Sequence, residues 1–113
     1  MGVISVPILP GKLDEWRADM AELMGPKAAD FRDLNKRHGL TQHRAFLTSS
    51  PDGSSGVIAI HDGPGGDTFM QTLAESDHHF DHWFKDHIGR VHGIDFEKPP
   101  EGPMPELVLD TGQ

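Results

Sequence analysis

Five of the eight histidines, His78, His79, His82, His87 and His92, fall within one 15-residue stretch that also carries Trp83, Asp81 and Asp86, with Asp77 just ahead of it. Imidazole can ligate a metal, move a proton near neutral pH or fill space in a core. On a helix, residues three or four apart share a face. His78 and His82 therefore lie together, and His79 joins Trp83 and His87 along a second stripe. A pair of histidines four apart can hold zinc, but a structural zinc site needs four ligands and a catalytic one usually three. No HExxH motif surrounds the pair and the chain has no cysteine, so no metal is expected. The structural alternative places His78 and His82 among solvated aspartates and lets His92 cap helix carbonyls before Gly93. His79 and His87 flank the apolar stripe and are candidate catalytic groups, with Trp83 as a flat substrate-binding wall.

Two further histidines, His43 and His61, fall on predicted neighbouring strands. His43 shares a face with Ala45 and Leu47, and His61 with Val57 and Ala59, so both can point from the sheet toward its open face. A polar group among apolar neighbours needs a partner, a water or a ligand. Each is therefore a candidate proton acceptor as well as a candidate structural residue. Arg44 can bind a substrate carboxylate or make an ordinary ion pair. Trp16 can line a cleft or sit in the core of its helix. No GxSxG elbow is present, and Gly63-Pro64-Gly65-Gly66 lacks phosphate-loop spacing, reading instead as a flexible connection.

The elements that must position these groups follow from periodicity. Val3 to Leu9 is short and β-branched and reads as a strand. From Lys12 the spacing of Leu13, Trp16, Met20, Leu23, Phe31, Leu34 and His38 is helical, and its phase persists across Gly25-Pro26, which predicts one kinked helix. Lys36-Arg37-His38 suits a helix C-terminus and Gly39 its cap. Residues 41–61 read as a β-hairpin around Pro51-Asp52-Gly53. A short helix over 68–74 is followed by the histidine-rich helix, with Phe80, Trp83, Phe84, Ile88 and Val91 on its apolar face. Ile94-Asp95-Phe96 is predicted to begin a last strand. A stiff proline-rich extension over 98–113 is expected to pack on the body or on a partner.

That order, strand, helix, hairpin, helix, strand, predicts an α+β ferredoxin-like βαββαβ domain spanning 1–113, with two helices on one face of an antiparallel sheet. The order, together with Phe80-Asp81-His82-Trp83-Phe84, resembles the dimeric α/β-barrel superfamily, including antibiotic-biosynthesis-monooxygenase-like proteins. The resemblance implies a homodimer with a cleft for a small hydrophobic or aromatic ligand. It implies a cofactor-independent monooxygenase, cyclase or isomerase using a histidine base, or a non-catalytic ligand-binding or structural dimer. Trp83 followed by His92 also resembles the second helix of haem-degrading members, a lower-ranked alternative in which His92 would hold iron.

Composition narrows the partners. The 113 residues carry 10 Lys and Arg against 18 Asp and Glu, a net charge of −8 with histidines neutral. Such a charge repels phosphate backbones and anionic bilayers, so neither nucleic acid nor membrane is expected as a partner. The start of the chain has no basic n-region or long apolar stretch, no run approaches the length of about 18 residues needed to span a bilayer, and cysteine is absent, so a cytoplasmic location is expected.

Overall fold

The computed structural model describes residues 1–97 and 107–112. The first strand, β1, runs Gly2–Pro7. Two helices follow, α1 over Leu13–Met24 and α2 over Ala28–Arg37. The hairpin is β2, Gln42–Ser49, and β3, Ser55–Asp62. A 3-10 turn at Gly66–Thr68 leads into α3, Phe69–Glu75, and the last helix is α4, His79–His92.

The strands form one antiparallel sheet in the order β1-β3-β2. Its register sets Ile4 beside Ala59 and Ala59 beside Ala45, and it pairs His61 with both Gly2 and His43. Paired residues point to the same side of the sheet, so Gly2, His61 and His43 form one row on one face. That face is the buried one. Val57, Ala59 and His61 are buried on β3, and Val57 packs with Ile8, Trp16 and Val91 from the chain after β1, from α1 and from α4. A second cluster joins Leu23, Leu34, Leu40, Phe69, Leu73, Phe80, Phe84 and Ile88. Val3, Phe46, Ile58 and Ile60 occupy the other face, outside both clusters, and Phe46 is 51% exposed.

Two expected elements are overturned, and the expected fold with them. The helix over 12–38 is two helices. Gly25 adopts φ −125°, ψ −106°, outside the helical region, and Pro26 has no amide proton to continue the ladder. The Lys27 amide instead reaches back to the Glu22 carbonyl at 2.8 Å. Secondly, residues 94–96 form no strand. Gly93, at φ 76°, ends α4 in the left-handed region, and the chain then turns with the Glu97 amide on Asp95 Oδ1. The ferredoxin-like βαββαβ fold is therefore not formed: the molecule is α+β with additional helices and an open three-stranded sheet among the described residues, not a closed dimeric α/β barrel. Leu107, Val108 and Leu109 are exposed. Residues 98–106 of the proline-rich extension lie outside the described residues.

The glycine-rich connection is packed against its neighbours. A Cβ on Gly65 would collide with the His38 carbonyl, and one on Gly66 with the His61 carbonyl. Gly63 takes φ +118°, and its missing side chain leaves room for the Gly39 carbonyl. Glycine is required here because two backbones meet at the end of α2. The Gly65 amide donates to the Gly39 carbonyl at 3.0 Å, locking that contact.

Candidate functional site

His43 and His61 lie under the helical layer, not on the open face of the sheet. Their ring centroids are 4.5 Å apart at 89°. Phe69 meets both, at 5.4 Å from His43 and 4.6 Å from His61, and Phe31 and Phe84 pack further on His43. Burial pushes His43 down to about 3, with the neighbouring His61 adding to the effect. Burial likewise pushes His61 down to about 4, against a smaller opposing pull from Asp62. Both rings are neutral at pH 7. His43 Nδ1 lies 2.9 Å from Asn35 Oδ1. With the Asn35 amide in this orientation Nδ1 donates, which leaves Nε2 as an acceptor.

His43 is also where this aromatic group reaches the surface. It lines an open cleft of about 510 Å³ between the end of α2 and the start of β2. Arg32, Asn35 and Lys36 border it from the helix, Leu40 and His43 from the turn and strand, and Pro64 from the glycine-rich connection. The packed glycines therefore build one wall: Gly39 lets the chain reverse at φ +74°, and Gly65 brings Pro64 against that reversal.

The other predicted site residues do not converge on this cleft. His79 opens α4 and is exposed. His87 is buried between α1 and α4, where Nδ1 donates to Asp19 Oδ2 at 2.6 Å. Burial lowers its pKa, while the Asp19 carboxylate pulls the other way. Trp83 stacks on His87 with centroids 6.0 Å apart at 8°, and Lys27 Nζ stands 5.2 Å over its ring. Trp16 is a core residue beside Val57 and Val91. Arg44 follows His43 on β2 and so points to the opposite sheet face, pairing with Asp62 at 2.8 Å. The arrangement of Trp83, His79 and His87 facing a sheet histidine across a cleft is thus not formed.

The remaining histidines have local roles. The His78 side chain caps α4 by accepting from the Phe80 amide at 3.2 Å. His82 is exposed and borders a second cleft of about 690 Å³ with Asp77, Lys85 and Asp86. His92 is buried, with Nδ1 donating to the Pro7 carbonyl at 2.7 Å and its ring against His87. It lines neither of these two clefts. No group of three or more His, Asp or Glu residues among the described residues is arranged to hold a metal ion.

Two important residues escaped the sequence reading. Asp81, read as solvated, is fully buried. Arg37 Nη1 and Nη2 donate to its two oxygens at 2.9 and 2.7 Å. His38 Nε2 and Ser76 Oγ also donate to Oδ2, at 2.7 and 2.6 Å. Burial alone would raise this carboxyl; the hydrogen bonds from Arg37, Ser76 and His38 outweigh it and hold the group well below the usual carboxylate range. The network ties the end of α2 to α4 and fixes the segment that carries Asn35. Its signal was present, because Asp81 falls in phase with Phe84, Ile88 and Val91. Asn35, the partner of His43, had no comparable signal.

No family model, curated protein or solved structure matches the chain. The resemblance to the dimeric α/β-barrel superfamily is accordingly corrected: neither homology nor the open three-stranded sheet supports it. Among the described residues no helix is long and apolar enough to cross a membrane.

Proposed function

We propose that the chain is a small-molecule-binding domain whose ligand occupies the cleft between α2 and the start of β2. The observation that carries this reading is the pairing of Asn35 with a His43 ring that lines the cleft and stays neutral. A cleft of about 510 Å³ suits a small organic molecule. Leu40 and Pro64 offer it apolar contact, and Asn35, Thr41 and Gln42 offer hydrogen bonds.

Binding is favoured over catalysis by a histidine base. A base whose conjugate acid titrates at about 3 takes a proton poorly at neutral pH. His87 is committed to Asp19, and His79 stands in solvent away from the cleft. The test is an amide NMR titration with a fragment library of small aromatic acids and amides. Ligand-dependent shifts should cluster at Asn35, Gly39 to His43 and Gly65. Shifts scattered over the surface, or none, overturn the reading.

A second reading adds self-association through the open sheet face. Val3 beside Ile60 and Ile58 beside Phe46 form an apolar patch there, with Arg44 and Ser5 completing the two rows, which a second copy could cover in a symmetric dimer.

A further inference from the structure

We infer that the cleft selects an anionic ligand, a small organic carboxylate or phosphate, held by Arg32 and Lys36. The inference rests on the ligand-binding reading above and supplies its chemical class. Acidic residues outnumber basic ones by 18 to 10 in this chain, yet the cleft lining contains Arg32 and Lys36 and no carboxylate. Elsewhere the cations are mostly neutralised. Arg37 pairs with Asp81 and Asp33, Arg44 with Asp62, and Arg90 with Asp86, Glu15 and Asp19. Among the described residues neither Arg32 nor Lys36 has an acidic partner. They lie four apart on α2, so their side chains leave the helix on one side, one turn from each other.

The surroundings favour this assignment. Lys36, in the last turn of α2, complements the helix dipole, but Arg32 stands a turn earlier and has no such role. The nearby Asp33 is engaged by Arg37 Nε at 2.7 Å, which partly neutralises the carboxylate closest to Arg32 in the chain. Asn35 accepts from His43 through Oδ1, so its amide NH2 remains as a donor beside the two cations. A planar guanidinium and an ammonium flanking an amide donor suit a carboxylate or phosphate group. Leu40 and Pro64 then take the apolar body of the same ligand.

Benzoate, benzamide and inorganic phosphate separate the contributions when titrated into the full-length chain and followed by amide NMR. Benzoate should bind at the cleft roughly tenfold or more tightly than benzamide. The R32Q/K36Q variant should bring benzoate down to the level of benzamide and leave benzamide unchanged. R17Q, an exposed position on α1 outside the cleft, should change neither. Added salt should weaken benzoate selectively. Phosphate shifting the same residues shows that the anion alone suffices; benzoate binding without phosphate assigns the carboxylate. Equal affinities for benzoate and benzamide at the cleft, or an R32Q/K36Q variant that binds benzoate as the parent does, overturn the anion assignment and leave the cleft reading standing. If none of the three probes shifts the cleft residues, both fall.

Discussion

His43 and His61 face each other across the β2–β3 pair, edge to face at 4.5 Å, and both are held neutral by burial. Two imidazoles in a row with Gly2 and beneath Phe69 make a proton-sensitive seam between sheet and helices. Their ordinary value is 6.5, and burial holds them at about 3 and about 4. As pH falls below 6.5 the unfolded chain takes up protons that the folded chain refuses. Stability is therefore complete above that value and is lost progressively down to about 4 for His61 and about 3 for His43. His87 and His92, also lowered by burial, act with the same sign. Urea unfolding at pH 7 and pH 5 should show the loss, and His43→Gln should reduce it. Equal stabilities at the two pH values would contradict the neutral burial of this pair.

The Asp81 network should be the most sensitive polar point of the fold. Removing Asp81 strips His38 and Ser76 of their acceptor while the partly exposed Arg37 keeps Asp33, at a cost of about 1–3 kcal/mol. Asp81→Ala should destabilise by that order in urea, and a double-mutant cycle with Arg37→Met should show coupling above about 1 kcal/mol. Additive effects would mean that the contact between α2 and α4 does not depend on the pair.

Gly65 and Gly53 provide a matched comparison. Gly53 has φ +88° but open space around it, so Gly53→Ala should cost only the left-handed strain of about 1–2 kcal/mol. At Gly65 the new methyl meets the His38 carbonyl. Gly65→Ala should therefore lower the melting temperature more than Gly53→Ala and shift the amide signals of Gly39 to His43.

Self-association through the open face predicts a concentration-dependent dimer in sedimentation at tens of micromolar. Phe46→Glu, on that face and already half exposed, should give a folded monomer. A parent chain that sediments as a monomer throughout that range would end the dimer reading.

A strong chelator should leave thermal unfolding unchanged. The histidines that crowd the sequence do not converge as a ligand set among the described residues. His78 caps a helix, His79 and His82 face solvent, His87 holds Asp19, and His92 holds the Pro7 carbonyl. A large drop in melting temperature on chelation would overturn this reading.

Local chemistry made much of the scaffold legible in the sequence. The β-branched run Val57-Ile58-Ala59-Ile60 and the Pro51-Asp52-Gly53 turn mark the hairpin, and the left-handed glycines Gly39 and Gly93 determine where two helices end. These features depend on backbone freedom within a few residues. The tertiary structure decided which face of the sheet the helices cover, and so whether His43 and His61 meet solvent or Phe69. Strand alternation identifies which residues share a face, but only long-range packing decides which face is buried. It also decided the meaning of Asp81. A carboxylate in core phase is tolerated there because Arg37, His38 and Ser76, separate in sequence, converge on it. The break at Gly25-Pro26 has a local cause, the backbone of Gly25 and the missing Pro26 amide proton, which the continuing apolar phase hid; the missing strand after Gly93 has a long-range one, because strand formation needs a partner edge that periodicity does not supply.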